Sequence, residues 1–247
     1  MSEIIYGRNP ARESLRARRR HIHRVLLADK LRSVATIDDI VELAESSSIP
    51  IQRVSRNRLD SLASGHQGVV LEVGRYPTVA IEDIFLRADK LDEAPFMVGL
   101  DHIEDPHNLG AILRTAEAVG VHGVFIPKQR AASVTPTVVN ASAGAAEHML
   151  VAEISNFVQT LIKLKKHDIW VAGVEDFEDA TIYTEANLAG ALAVVIGSEG
   201  KGIGHLVKQH CDFLVRLPMR GKVGSLNASV AAGLILYETW RARGLKK

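Results

Sequence analysis

The stretch LAVVIGSEGKGIG, residues 192–204, decides the fold class of this chain. Its first half is a short apolar run, typical of a buried strand, which passes directly into a glycine-rich turn holding Ser198, Glu199 and Lys201. Helical stretches separate it from similar runs at FMVGL (96–100), HGVFIP (122–127), DIWVAGV (168–174) and FLVRLP (213–218). Short apolar strands that alternate with helices predict a parallel sheet covered on both faces. Such a turn either brings backbone N–H groups close to a ligand or is an ordinary connection between a strand and a helix. It is neither a P-loop nor a GxGxxG motif.

The first 75 residues predict a smaller α/β unit. Strand-like runs (HRVLLAD, IPIQRVS and VVLEV) alternate there with helical segments, and the last run follows the turn Gly65-His66-Gln67-Gly68. Residues 76–95 are acidic, contain Pro77 and Pro95, and read as a connection with one short helix, IEDIFLRA. We therefore expect a first domain over 1–75, a linker over 76–95 and a second domain over 96–247.

Composition excludes several classes of protein. Of the 247 residues, 47% are hydrophobic and 24% charged, which is an ordinary globular mixture. No apolar run approaches the ~18 residues of a transmembrane helix, so we expect no membrane partner. The single cysteine, Cys211, excludes a disulfide within the chain and a cysteine-based zinc site, and it fits a reducing cytoplasm. Because no HExxH or GxSxG motif occurs, we expect neither metal catalysis nor a serine nucleophile.

Positive charge is concentrated near the start of the chain. Residues 1–60 contain twelve Lys or Arg against eight Asp or Glu, and eleven of the twelve are arginine. The guanidinium group suits bidentate contacts to phosphate. The densest run, Arg16 to Arg24, is therefore either an RNA-binding surface or a solvated helix face, and charge alone does not decide between them.

Two further motifs carry candidate functional residues. In DHIEDPHNLGAILRTAEA, residues 101–118, Asn108 is a candidate helix cap or site residue. Arg114 lies six residues later, so the two side chains do not share a helix face and would serve a site from different directions, for example in different subunits. In LPMRGKVGSLNASVAAGLILYE, residues 217–238, Ser225 and Asn227 open the final helix, as caps or as site residues.

Taken together, these three motifs resemble those of the SpoU/TrmH branch of the SPOUT methyltransferases: N-x5-R, then IGSEGxG, then LPMxGxxxSLNxSxAAxxxLYE. The opening YG-x-N-P (6–10) and Gly65–Gly68 resemble the ribosomal-protein-like RNA-binding domain of bacterial large-subunit rRNA (guanosine-2'-O)-methyltransferases of the RlmB type. The resemblance implies an α/β fold whose C-terminal parallel-sheet domain is tied into a deep trefoil knot. A small N-terminal RNA-binding domain of α/β type would precede it.

The resemblance also implies a cofactor, S-adenosylmethionine, and roles for individual residues. The catalytic set would be Asn108, Arg114, Glu199, Ser225 and Asn227. The cofactor contacts would come from Gly173, Ile196, Gly197, Leu217, Met219, Leu226 and Ala228. RNA would be bound by Arg8, Arg12, Arg16, Arg18, Arg19, Arg20 and Arg24, with Arg220 and Lys222 of the last motif.

The implied activity is methyl transfer to the ribose 2'-oxygen of a guanosine in large-subunit 23S rRNA, in the peptidyl-transferase P loop. The family works as a homodimer packed through the knotted domain, in which Arg114 of one subunit would reach the site of the other. Two alternatives remain open: the same chemistry on a tRNA loop, or a non-catalytic RNA-binding assembly protein. A Rossmann oxidoreductase is disfavoured because GxGxxG and its trailing acidic residue are missing.

Overall fold

The computed structural model describes residues 2–32, 34–222 and 224–244. The chain divides into two compact units: residues 1–77 with 134–148, and residues 78–133 with 149–247. This division differs from the predicted domains in two respects, because residues 78–95 belong to the second unit and residues 134–148 to the first.

The first unit contains a mixed four-stranded sheet. Its strands have the order β1-β4-β2-β3; β4 is antiparallel to both β1 and β2, whereas β3 is parallel to β2. The elements are β1 (Glu3–Tyr6), α1 (Arg8–Ala17), β2 (Ile22–Ala28), α2 (Ala35–Ser46), β3 (Ile51–Val54), α3 (Arg56–Asp60) and β4 (Val69–Val73). Helix α1 buries Pro10, Ala11 and Leu15, and it packs against α2. The three predicted strands are confirmed as β2, β3 and β4, whereas β1 was not predicted.

Residues 134–148 complete this unit with a short helix α6 (Pro136–Ala141) and a 3-10 turn over Ala145–His148. The Arg20 guanidinium lies 2.9 Å from the Glu147 carboxylate, and both side chains are fully buried. Tyr76 donates a hydrogen bond of 3.0 Å to the carbonyl of Ala146. These contacts explain why a segment from the middle of the chain belongs to the N-terminal unit.

The second unit is built on a seven-stranded sheet in which every pairing is parallel, as predicted. The strands are β5 (Phe96–Asp101), β6 (Gly123–Pro127), β7 (Val151–Ile154), β8 (Trp170–Val174), β9 (Thr181–Ile182), β10 (Leu192–Gly197) and β11 (Phe213–Arg216). Their order is β7-β6-β5-β10-β8-β11-β9. From β5 the chain adds β6 and then β7 on one side of the sheet. The later strands β8 to β11 all lie on the other side of β5, so the strand order reverses between β5 and β10. Ligands of parallel sheets bind beyond the carboxyl ends of the strands at such a point.

Helices cover both faces of this sheet. They are α4 (Ile81–Lys90), α5 (Pro106–Ala118), α7 (Phe157–Lys166), α8 (His205–Gln209) and α9 (Ala228–Ala242). Apolar side chains of α4, α7 and α8 pack with Met97, Phe125 and Val195 of the strands. Alternate strand residues point to the opposite face, where α9 contacts both β10 and α5. The predicted linker is therefore part of this core, because α4 buries Ile84 and Ala88.

Candidate functional site

Two loops lie beyond the carboxyl ends of the central strands. The first, residues 198–204, follows β10, and the second, residues 217–227, follows β11. Val223 of the second loop lies outside the described residues. These loops contain the glycine-rich motif and the final motif of the sequence analysis.

The first loop is closed by backbone hydrogen bonds. Ser198 and Gly202 exchange two of them, at 3.1 and 2.9 Å. A Cβ at Gly197 would overlap the carbonyl of Gly202 and the backbone nitrogen of Ile203, so this position has room only for glycine. The backbone at this turn was predicted to approach a ligand closely or to form an ordinary connection. In the structure its close contacts are with the other end of the same loop.

Two carboxylates that the sequence analysis missed anchor this loop. Glu175, directly after β8, accepts a hydrogen bond of 3.0 Å from Ile203 N. Asp101, at the end of β5, accepts one of 2.7 Å from Gly204 N. The position of each acidic residue at the end of a buried strand could have indicated a role in the site. The sequence does not reveal, however, from which backbone N–H groups the carboxylates accept hydrogen bonds.

Three of the predicted catalytic residues meet at one point. Asn108 donates a hydrogen bond of 3.0 Å from Nδ2 to Glu199 Oε1. Asn227 donates from Nδ2 to the same Glu199 oxygen and, at 2.9 Å, to Asn108 Oδ1. Ala228 N adds a third hydrogen bond to Glu199 Oε1, at 3.2 Å. The arrangement joins α5, the first loop and the start of α9.

The helix caps explain why these amides are oriented as they are. Asp105 caps α5 by accepting from the backbone N–H groups of His107 and Asn108. Asn108 is thus not the cap, and its side chain is free to reach Glu199. Asn227 does cap α9, because its Oδ1 accepts from Ser229 N and Val230 N. This bond fixes the amide so that Nδ2 points to Glu199 and Asn108.

A cavity of about 310 Å³ opens between the two loops. Six of the seven predicted cofactor residues line it, together with Glu199 and Ser225: Ile196, Gly197, Leu217, Met219, Leu226 and Ala228. The seventh, Gly173, is not part of this lining. It is buried in β8, where a Cβ would press against Cys211 Sγ and Leu214 Cδ2.

A second cavity of about 500 Å³ lies next to the same loop. The two cavities share Ser198, Glu199, Lys201 and Gly202. Asn108 and the cations Arg130 and Lys201 contribute to the second one, and so does His102, whose Nδ1 lies 2.6 Å from the buried Asp101 carboxylate. The site thus offers two adjoining spaces that share Glu199. Asn108 lines the second space, whereas Asn227 lines neither and reaches the site through its hydrogen bonds to Glu199 and Asn108.

Arg114 is exposed on α5 and lines neither cavity. It forms no hydrogen bond or ion pair with any other part of the chain that the structure describes. The structure therefore does not bring it together with Asn108 in one subunit, which matches the separation expected from helix geometry.

Most of the predicted RNA-binding arginines have internal partners. Arg12 and Arg16 pair with Glu13 and Asp39, and Arg24 pairs with Glu72. Arg19 donates to Tyr76 Oη and to the carbonyl of Pro77. Arg8, Arg18, Arg220 and Lys222 form no ion pair within the described residues, and the last three are exposed.

The prediction that Arg20 contacts RNA is wrong. Its side chain is fully buried between Glu3 and Glu147, at 3.2 and 2.9 Å. Burial raises the pKa of the Glu147 carboxyl, whereas the nearby guanidinium groups of Arg20 and Arg19 oppose that shift. A buried guanidinium needs such partners, and those partners also keep Arg20 away from any ligand.

Three structural findings bear on other classes of chemistry. Burial raises the pKa of Cys211 to about 12, so its thiol is protonated at neutral pH. In the described ranges, no three His, Cys, Asp or Glu side chains are grouped so that they could hold a metal ion. Likewise, no described helix has the length and apolar character needed to cross a membrane.

Comparisons with known proteins cover both units. The model of the SpoU rRNA Methylase family matches residues 95–237, and that of the RNA 2'-O ribose methyltransferase substrate binding domain matches residues 4–79. YacO of Bacillus subtilis, named for the TrmH family of tRNA/rRNA methyltransferases, is 46% identical over 98% of this chain and 96% of its own length.

Solved structures share the fold. The SpoU methyltransferase AviRb from Streptomyces viridochromogenes, crystallised with AdoMet, covers 97% of this chain and 90% of its own with a TM-score of 0.80 and 24% identity. The TrmH/SpoU tRNA modifying enzyme of A. aeolicus covers 65% of this chain and 84% of its own, with a TM-score of 0.56 and 25% identity.

Proposed function

Because this chain belongs to the SpoU rRNA methylase family, we propose that it transfers a methyl group from S-adenosylmethionine to the ribose 2'-oxygen of a guanosine in large-subunit 23S rRNA, in the peptidyl-transferase P loop. The observation that carries the proposal is the hydrogen-bonded Asn108–Glu199–Asn227 cluster, whose Glu199 lines two adjoining cavities. One cavity would take the methyl donor and the other the target nucleotide.

The cavity between the loops fits S-adenosylmethionine in size and chemistry. Its volume of about 310 Å³ falls at the lower end of the range of small-molecule sites. Apolar groups of Leu217, Leu226 and Ala228 would contact the adenine, and the carboxylates of Glu175 and Asp176 offer acceptors for hydroxyl and ammonium groups. When bound, S-adenosylmethionine supplies a methyl group that leaves its sulfonium sulfur for the ribose oxygen.

The residues of the chain would supply alignment and charge. Asn108, Asn227 and Ser225 would orient the ribose, while Glu199 fixes the loop through the three hydrogen bonds that it accepts. The 2'-hydroxyl loses its proton as the new bond forms. Since a guanidinium does not deprotonate in proteins, Arg114 would hold the target phosphate and stabilise the developing alkoxide, and a phosphate oxygen or a water would accept the proton.

A homodimer would bring Arg114 to the site. Three apolar side chains at helical spacing on α9 are exposed: Val230 by 50%, Leu234 by 42% and Tyr237 by 51%. An exposed apolar stripe of this kind marks an interaction surface. Arg114 lies on α5, which packs against α9, so a partner that covers α9 would lie near Arg114. These observations support a dimer formed through the second unit.

We extend the proposal to the trefoil knot. The loops after β10 and β11 border one cavity, although β8 separates the two strands in the sheet. The final helix α9 then packs against β10 and α5. Threading of the chain end through the loop beyond β10 would produce such an arrangement.

The choice of rRNA over tRNA rests on the N-terminal unit. A ribosomal-protein-like domain is expected of rRNA enzymes, whereas the TrmH/SpoU tRNA modifying enzyme of A. aeolicus covers only 65% of this chain. YacO is named for both tRNA and rRNA, so the RlmB-type resemblance remains a prediction. A non-catalytic RNA-binding protein is disfavoured because the cluster around Glu199 is complete.

The decisive experiment measures methylation directly. Purified protein is incubated with S-adenosylmethionine and either unmodified 23S rRNA or unmodified tRNA, and the digested RNA is analysed by mass spectrometry. We expect 2'-O-methylguanosine to increase in the rRNA alone. An increase in the tRNA alone would show that tRNA, and not rRNA, is the substrate. Formation of another 2'-O-methylated nucleoside would show that the target is not a guanosine. No methylation of either RNA would favour the non-catalytic alternative.

Replacement of Gly197 by alanine is expected to weaken S-adenosylmethionine binding by at least about tenfold and to destabilise the protein by about 1–3 kcal/mol or more, the usual cost of overpacking. The added methyl group collides with backbone atoms of Gly202 and Ile203, which cannot rotate away. Titration calorimetry and thermal unfolding measure the two effects. Gly74→Ala is the control, because a Cβ there meets only ordinary van der Waals contacts. Equal affinities of the two variants would contradict the assigned role of the loop.

A further inference from the structure

A further cavity lies in the first unit, where β2 ends and β4 begins, and it shares no residue with the loops discussed above. It has a volume of about 720 Å³. We call it the N-terminal cavity and define it by its ten lining residues: Arg8, Ala28, Asp29, Lys30, Leu31, Ser55, Arg56, His66, Gln67 and Gly68. All belong to the first unit.

The cations of this cavity differ from Arg12 and Arg16, which lie further along α1. Arg8, Lys30 and Arg56 form no ion pair with a carboxylate anywhere in the described ranges. By contrast, Arg12 and Arg16 of α1 share the carboxylates of Glu13 and Asp39. An unpaired guanidinium or ammonium keeps its full charge for a phosphate, whereas a paired one must first give up its carboxylate. Three unpaired cations therefore line this cavity, together with one carboxylate, that of Asp29. Arg18, which also has no ion pair in the described part of the first unit, lies outside the cavity.

The turn Gly65–Gly68 holds one of these cations in place. The buried ring of His66 accepts a hydrogen bond from Gly68 N at its Nδ1, and its Nε2 lies 3.0 Å from Asp60. The carbonyl of Gln67 accepts from Arg8 Nε at 3.3 Å. A Cβ at Gly68 would collide with Leu31, so the backbone approaches this apolar wall closely. The Gly65–Gly68 turn thus packs against Leu31 and binds the side chain of Arg8.

The same turn leaves donors for a base. Gln67 Oε1 accepts from Arg8 N at 3.2 Å, which fixes the orientation of its amide. The Nε2 group, with two N–H donors, engages no other atom among the described residues. Leu31 and Ala28 provide apolar surface beside it. Cations, an amide donor and an apolar wall are the complement of an unpaired nucleotide, whose phosphate, base edge and base face they match.

We propose that the N-terminal cavity binds an unpaired nucleotide of the substrate RNA, with Lys30, Arg56 and Arg8 on its phosphates and Gln67 on the edge of its base. The inference rests on the proposed function, because it assumes an RNA substrate. It assigns affinity for unpaired RNA to this cavity and not to Arg12 and Arg16 of α1.

Two variants with equal loss of charge test the assignment. Lys30→Gln/Arg56→Gln removes two unpaired cations of the cavity, and Arg12→Gln/Arg16→Gln removes two paired cations of α1. Binding of the full-length proteins to a fluorescein-labelled RNA hairpin with an unpaired loop is measured by anisotropy over a series of salt concentrations. The fully paired duplex of the same stem is the second probe, and circular dichroism checks folding of both variants.

The cavity variant should bind the hairpin at least about tenfold more weakly and lower the slope of log K against log salt by about two, one for each lost phosphate contact. The α1 variant should stay within about twofold of the original protein, with an unchanged slope. Gln67→Ala should reduce the preference for hairpin over duplex. Equal losses in both double variants, or a larger loss in the α1 variant, would overturn the assignment.

The outcome is separable from that of the proposed function. S-adenosylmethionine binding, measured by calorimetry, should be the same in all variants. If the cavity variant loses hairpin binding but the original protein methylates no RNA, the result supports the inference and contradicts the proposed activity. If rRNA is methylated but the cavity variant binds RNA normally, the activity stands and the inference falls. A protein that binds neither probe contradicts the inference.

Discussion

Replacement of Arg114 by alanine is expected to lower the single-turnover rate of methyl transfer by about 10²–10³, the usual effect of removing one group that stabilises a developing oxyanion. S-adenosylmethionine binding should be unchanged, because Arg114 lines neither cavity. Arg114→Lys should recover only part of the rate, since an ammonium group keeps the charge but lacks the planar fork that suits phosphate. Rapid quench kinetics and calorimetry measure the two quantities.

Mixed dimers test whether Arg114 acts in the site of the partner. Arg114→Ala and Asn108→Ala should each be nearly inactive alone. If each site combines Asn108 of one subunit with Arg114 of the other, a mixed dimer contains one intact site. Random reassociation of equal amounts should then restore about a quarter of the original activity, as expected for a symmetric dimer in which half of the molecules are mixed. An inactive mixture, or a monomer by sedimentation, would contradict the shared site.

Replacement of Glu147 by leucine is expected to destabilise the first unit by about 3–5 kcal/mol, because it leaves the guanidinium of Arg20 buried without its closest carboxylate. The double variant Arg20→Met/Glu147→Leu should recover most of that loss, since two apolar side chains of similar volume no longer require solvation. Urea unfolding measures the free energies. Glu45→Leu, on α2 at an exposed position, is the surface control.

Two outcomes of these unfolding measurements would show that the Arg20–Glu147 ion pair does not stabilise the first unit. If Glu147→Leu costs less than about 1 kcal/mol, the pair does not hold residues 134–148 in the unit, because such a loss is typical of an exposed pair. If the two replacements simply add, the side chains are not coupled. Both outcomes would contradict the structural role assigned to this ion pair.

The strands and the site loops could be predicted from the sequence because their signals are local. Apolar runs such as LAVVIG identify β10, and the glycine-rich turn follows it directly. The final motif likewise predicted that Asn227 stands at the start of a helix, where it is the cap. β1, β7 and the two-residue β9 were missed, because such short strands carry few alternations. β3 and β11 also have only four residues, but they lie within the longer runs IPIQRVS and FLVRLP, which the sequence analysis recognised.

Which charged side chains are buried in ion pairs or hydrogen bonds could not be predicted, because their partners are distant in the sequence. Arg20 is one of several arginines in a dense run, and only the contact with Glu147, 127 residues later, shows that it is buried. Asp101 and Glu175 were overlooked for the same reason, since each accepts from a loop that lies far along the chain. A positively charged segment indicates RNA binding only for those side chains that lack a carboxylate in the fold.

The hydrogen bond between Asn108 and Asn227 joins residues that are 119 positions apart. During synthesis, Asn108 emerges from the ribosome long before its partner exists, and Glu199 remains without its second amide until α9 has begun to form. The site therefore cannot assemble until the chain has been synthesised beyond residue 228. Before that point a growing chain is unable to hold the reactants together, so the order of translation itself delays any activity.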